Sequence, residues 1–371
     1  GSNVSITKKY MFIGVQYRPV GGQNTSLNWS DRRAYISVYE LTNFTHVHTF
    51  ALEDFYGSSY IEAYSGAPGY SGGGTGWSES LWYSDDENLF VGAPHAAAPY
   101  NTNYPEGAVT WWDISDTDPA NWSTNPDAVI RNPINIVNDP TTNIGGTNYS
   151  NGYFGQYVNY RNNNLVVGNS VWLHKYSKSG SSFTRDNYLT LNSSEVYASP
   201  GTSFMSTDNT NIIISRTNTN PRSFVARDYT NNFSESWSYS NTNGGFPYSG
   251  FRQLNAGKDV KVEIAAYPDY WANNKAGAVS FIKTSDRSSV LELDNPFLRD
   301  SDGLYFGQAL GVASIDSEGS NRFSMVSWGE PDDNDTKDII SFWELVWDSA
   351  NGTLALEDPP VAPPFAWGGT R

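Results

Sequence analysis

Six octapeptides along the chain share one alternation of apolar and polar positions. They read AYISVYEL from Ala34, GAVTWWDI from Gly107, NSVWLHKY from Asn169, RSFVARDY from Arg222, GAVSFIKT from Gly277 and DIISFWEL from Asp338. The third positions are Ile36, Val109, Val171, Phe224, Val279 and Ile340, and the seventh is charged in all six. A period of two predicts a strand. A second run precedes each octapeptide: MFIGVQY from Met11, NLFVGAP from Asn88, NLVVGNS from Asn164, NIIISRT from Asn211, KVEIAAY from Lys261 and RFSMVSW from Arg322. These runs are mostly apolar, which predicts strands covered on both faces.

Two further elements complete the unit. An aromatic followed by Gly precedes the second run, as FYG at Phe55, YFG at Tyr153, YSG at Tyr248 and YFG at Tyr305, with a weaker ASPG from Ala198. A last strand trails the octapeptide, as in HVHTFALE from His46, DNYLTLN from Asp186, VLELDNP from Val290 and TLALEDP from Thr353. A four-stranded unit repeated six times, at about 62 residues each, predicts a six-bladed β-propeller in a single all-β domain over 1–371. The expected blades span about 3–53, 54–135, 150–192, 195–241, 245–297 and 303–360. The first unit starts at its second strand, and the chain ends on PPFAWGGTR from Pro363. Residues 361–371 are therefore expected to supply the missing first strand of blade one and close the ring, leaving no open edge.

The repeat resembles the FG-GAP blade of integrin α-subunits and of integrin-like propeller lectins and adhesins. The residues that carry the resemblance are Tyr153-Phe-Gly155, Tyr305-Phe-Gly307, and Val91-Gly-Ala-Pro94 followed by Gly107-Ala-Val109. The resemblance implies Ca²⁺ in the hairpin between the first two strands, held by closely spaced carboxylates. Here those hairpins read YRNNNL, STDNTN and NAGKDV in blades three to five, too poor in acids. Asp316 and Glu318 in blade six, and Asp85, Asp86 and Glu87 in blade two, read as polar turns and remain only weak metal candidates. Asp300 to Gly303 reads as another turn, and Asp332, Asp333 and Asp335 form a further weak candidate. No cofactor is expected, with Ca²⁺ the one ion considered.

Composition removes several classes. Lys plus Arg is 23 and Asp plus Glu is 39, for a net charge of −16, which opposes nucleic-acid binding. There is no Cys, hence no disulfide, thiolate zinc site or cysteine nucleophile. No apolar run is long enough for a membrane-spanning helix. Four His, no G-x-S-x-G elbow and no P-loop leave little for catalysis, and no catalytic residue is expected. Tyr157, Asn159, Arg252, Gln253 and Gln308 are placed on first strands, with Glu62 the one acid there, so no carboxylate pair for glycoside cleavage can be assigned.

Candidate binding residues lie in the connections between second and third strands, on the face expected to be the top. They are Trp29, Tyr100, Tyr104, Tyr270, Trp271, Asn273 and Trp328. An aromatic ring covers the C–H face of a sugar while amides and carboxylates fix its hydroxyls. The Gly-rich stretch from Gly69 to Tyr83, with Trp77 and Trp82, is a rival patch. The expectation is a non-catalytic, lectin- or adhesin-like extracellular module that binds a glycan, surface polysaccharide or protein. The alternatives are a structural or receptor-binding component of a virion or cell surface and, third, a polysaccharide-acting enzyme.

Overall fold

The computed structural model describes residues 3–19, 32–51, 83–94, 96–98, 101–105, 107–133, 154–169, 172–191, 205–207, 210–216, 223–240, 249–255, 261–272, 275–283, 285–286, 288–294, 309–314, 321–329 and 339–356. Their regular structure is antiparallel β throughout, save one 3-10 turn at Pro119–Asn121. The chain divides into two compact units, Gly1–Asn192 and Ser193–Arg371.

The first unit holds three four-stranded sheets. The first runs β1 (Asn3–Ile6), β2 (Tyr10–Pro19), β3 (Arg32–Glu40) and β4 (His46–Ala51) in chain order. The second runs β5 (Tyr83–Ser84), β6 (Asn88–Ala93), β9 (Ala108–Asp113) and β10 (Ala128–Arg131). A hairpin of β7 (Ala97–Ala98) and β8 (Asn101–Pro105) is inserted between β6 and β9. The third runs β11 (Tyr157–Arg161), β12 (Asn164–Gly168), β13 (Trp172–Ser179) and β14 (Ser182–Thr190).

The second unit repeats the plan. Its sheets are β15 (Met205–Thr207), β16 (Asn211–Arg216), β17 (Ser223–Asp228) and β18 (Ser234–Ser240); β19 (Ser249–Asn255), β20 (Lys261–Ala272), β21 (Lys275–Lys283) and β22 (Ser289–Asp294); and β23 (Ala309–Ser314), β24 (Arg322–Gly329), β25 (Ile339–Asp348) and β26 (Thr353–Leu356). The apolar runs are thus the second strands, and the octapeptides fall on the third.

Two expectations change. The first sheet does not lack its first strand: Asn3–Ile6 pairs with β2 in the register Asn3↔Gly14 to Ile6↔Met11. Asn-Val-Ser-Ile is short, but four residues suffice when the neighbouring strand supplies an unpaired edge. The segment 361–371, expected in that position, lies outside the described residues. In the second sheet the strand beside β6 is Tyr83–Ser84, at the end of the Gly-rich stretch, whereas Phe55-Tyr-Gly57 lies outside the described residues.

The strand period explains how sheets stack. In β6, Leu89, Val91 and Ala93 join a core with Phe12, Ile36, Val38 and Phe50 of the first sheet. Phe90, one residue away, points the other way and joins Val158, Tyr160, Leu165 and Val167 of the third sheet. β9 does the same, sending Ala108 and Trp112 to the first core and Val109 and Trp111 to the other. Both faces of the second sheet are therefore apolar, and each fully buried large side chain contributes about 1.5–3 kcal/mol. In the second unit, Phe323, Met325, Trp343 and Leu345 of the sixth sheet share a core with Val279, Phe281 and Leu293 of the fifth.

The aromatic-Gly and Gly-Ala elements meet at one junction. Gly107 forms an isolated parallel bridge with Phe154. Gly107 has φ +85° and Gly155 has φ +92°, a region costly for any residue with a Cβ. A Cβ on Gly107 would lie 2.2 Å from the Phe154 carbonyl oxygen, and one on Gly155 would lie 2.3 Å from that of Ala108. Neighbouring sheets touch backbone to backbone here, so both positions require glycine.

Candidate functional site

The connections from second to third strands present the candidate residues differently from simple loops. β20 and β21 continue as a two-stranded ribbon past a register shift between Tyr267 and Trp271, and Trp271 pairs with Ala276. Trp271 therefore stands on a paired ribbon, which fixes its backbone more tightly than a loop would, and Tyr270 precedes it within the register shift. Tyr104 lies on β8, within the inserted hairpin of the second sheet. Trp328 lies on β24 between Ala309 and Ile340. The fifth and sixth sheets share a core, so Trp271 and Trp328 belong to one packed pair of sheets. Trp29, Tyr100, Asn273, Asp332, Asp333, Asp335, Asp316 and Glu318 lie outside the described residues.

The acidic turn of the second sheet is satisfied internally. Oδ1 of Asp85 accepts the backbone N–H groups of Glu87 at 2.8 Å and Asn88 at 2.6 Å. Its Oδ2 accepts the Tyr83 hydroxyl at 3.2 Å, and Asp86 accepts the Lys9 N–H at 3.3 Å. Burial and the Asp85 charge together push the Tyr83 hydroxyl far above its usual range. This is an Asx turn closing the β5–β6 hairpin, as the sequence suggested. Among the described residues no group of three or more His, Asp or Glu is arranged to hold a metal ion. On β11, Tyr157 is buried and Asn159 half-buried, with no partner for Asn159 Oδ1 among the described residues.

The third sheet carries aromatic and basic groups that the sequence pattern did not single out. His174 is 1% exposed, and neither ring nitrogen has a hydrogen-bond partner among the described residues. Its ring lies 5.6 Å from Phe154 and 6.3 Å from both Trp172 and Tyr188. Desolvation, and secondarily the Arg185 charge, lower its pKa to about 3, so it is neutral. Tyr188 is 52% exposed, stands opposite His174 on the edge strand β14, and lies 5.5 Å from Trp172. The Arg185 guanidinium sits 5.6 Å from the Tyr188 ring, and Lys178 Nζ sits 4.4 Å from that of Trp111. The usable signal was in the β14 sequence, where an arginine and a tyrosine occupy a strand whose pattern is polar on both faces.

Neither a protein-family model nor a curated protein sequence matches the chain. Among solved structures the chain is similar to the WD40 domain of coronin from Toxoplasma gondii, at 9% identity and a TM-score of 0.49, covering 96% of this chain and 69% of that one. It is also similar to Hsv2 from Kluyvelomyces marxianus, at 8% identity and a TM-score of 0.43, covering 97% of each chain. A protein from Desulfotomaculum acetoxidans matches at 9% identity and a TM-score of 0.43, covering 87% of this chain and 75% of that one.

Proposed function

We propose that the chain is a non-catalytic binding module built as a six-bladed β-propeller of FG-GAP-like blades. The binding surface is formed by the connections between second and third strands, and the ligand is a glycan or surface polymer at the outside of a cell or particle. The observation that carries this reading is the ribbon of β20 and β21, which continues past its register shift and carries Trp271 on paired backbone. A scaffold of stacked sheets does not require a hairpin extended past its bulge, whereas a recognition surface gains from a fixed backbone beneath its aromatic residues. The internally bonded Asp85 turn supports a module that needs no Ca²⁺.

A glycan-array screen of the intact protein tests the reading. Saturable binding is expected, weakened tenfold or more in Trp271→Ala and in Trp29→Ala while circular dichroism stays unchanged. No binding to any glycan, together with stable self-assembly or a protein partner, overturns it in favour of a structural role. Turnover of a polysaccharide overturns it in favour of an enzyme. Chelation with EDTA is expected to leave the unfolding temperature unchanged, and a drop of several degrees would restore the calcium reading.

A further inference from the structure

The first unit carries a second cluster suited to a ligand, far along the chain from Trp271. Trp172, His174, Tyr176 and Lys178 alternate along β13 and so share one face of the third sheet. Pairing places Tyr188 opposite His174, Arg185 opposite Tyr176 and Phe183 opposite Lys178, so β14 continues that face. Arg185 and Lys178 are diagonal neighbours across the two strands, at roughly 7–8 Å between backbones.

Three observations point to an acidic ligand. Arg185 and Lys178 have no carboxylate partner among the described residues, although the chain carries a net charge of −16. Asp186, the acid next to Arg185, is occupied by Lys175 at 3.3 Å and by the Ser177 hydroxyl. Two cations without a carboxylate partner, each resting against an aromatic ring, leave this edge of an acidic protein able to pair with an anion. Tyr188 exposes half of a flat ring beside them, and Trp172 flanks it. Beneath the rings lies the buried imidazole of His174, whose nitrogens have no hydrogen-bond partner among the described residues.

We propose that the outer strands of the third sheet form a site for an acidic glycan. The Tyr188 ring stacks on the sugar face, and Arg185 and Lys178 pair with its carboxylates. This proposal rests on the reading of the chain as a glycan-binding module, but it uses residues outside that surface.

Calorimetric titration of the intact protein with oligogalacturonate, and with an uncharged gluco-oligosaccharide of equal length, tests it. The acidic oligomer is expected to bind and the uncharged one not. Tyr188→Ala and Arg185→Met each weaken binding tenfold or more, and Lys178→Met weakens it several-fold. Tyr188→Phe leaves it unchanged. Both principal positions are exposed, so these variants fold. Equal binding of the two oligomers, or no binding of the acidic one, overturns the proposal. Loss in Trp271→Ala but not in Tyr188→Ala also overturns it, while leaving the first reading intact. Binding of oligogalacturonate that depends on Tyr188, in a protein whose array binding ignores Trp271 and Trp29, supports it and overturns only the placement of the first site on the connections between second and third strands.

Discussion

Gly107 and Gly155 show how two single atoms can decide whether neighbouring sheets meet. Each glycine sits at positive φ, and each would drive a Cβ into the other sheet's backbone. Backbone cannot move aside as a flexible side chain can, so the strain and the clash add. Gly107→Ala and Gly155→Ala should each cost about 3 kcal/mol or more, read from urea unfolding midpoints. Gly180 provides a control, because it has φ +60° but nothing within 4 Å of its Cβ position. Gly180→Ala should cost about 1–2 kcal/mol, the strain alone. Equal losses at Gly155 and Gly180 would show that the inter-sheet contact contributes nothing. The same pair of motifs recurs in sequence at Gly277-Ala-Val279 and Tyr305-Phe-Gly307.

At the scale of elements, the turns explain the wealth of Asn and Asp. The β11–β12 hairpin closes on Asn162 and Asn163 at φ +48° and +61°, the two left-handed residues that a type I′ turn needs. Asn163 is also held by the Tyr160 hydroxyl at 2.8 Å, so Asn162 is the cleaner position to test. Asn162→Gly should leave stability within about 0.5 kcal/mol of wild type, while Asn162→Val should cost about 1–2 kcal/mol, measured by thermal unfolding. Such turns were legible because Asn runs flank apolar ones. The second and third strands were legible because burial on both faces makes nearly every residue of β6 and β9 apolar. β1 was not, because Asn-Val-Ser-Ile alternates for too few residues to register a period, and its place comes from the edge of β2. The β20–β21 ribbon was not legible: Pro268 and Asp269 signal a turn and do fall in the register shift, while the pairing of Trp271 and Ala272 beyond it depends on the partner strand. Of the candidate site, the aromatic residues were legible and their ribbon setting was not. The strip of Tyr188 and Arg185 depends on register across β13 and β14, which no single strand's sequence contains.

For the whole molecule, acidity acts less as a signal to partners than as a material for turns, and this sets its response to pH. Asp286 accepts from the Ser288 hydroxyl and N–H, and Asp348 from the Asn351 amide and the N–H groups of Ala350 and Asn351. These bonds hold both carboxyls below their usual range of about 3.8. A depressed carboxyl pKa contributes stability that is present above the unfolded value and is lost as pH falls through the folded one, so these turns weaken only below the ordinary carboxyl value. His174 acts earlier. Its folded value of about 3 lies below the unfolded 6.5, so the unfolded chain gains a proton first as pH drops. Stability conferred by the neutral ring is complete above about pH 6.5 and is lost progressively toward pH 3, at up to about 1.4 kcal/mol per pH unit. Relief of like-charge repulsion near the sequence pI of 4.6 works in the opposite direction, so the wild-type curve alone cannot isolate the imidazole. The difference between wild type and His174→Phe can, because the other charges cancel in it. That difference in unfolding free energy should be flat above pH 7 and should shift in favour of the variant between pH 6 and 4. A difference that stays constant across this range would show that the native fold admits the imidazolium, contrary to the burial and missing partners of His174.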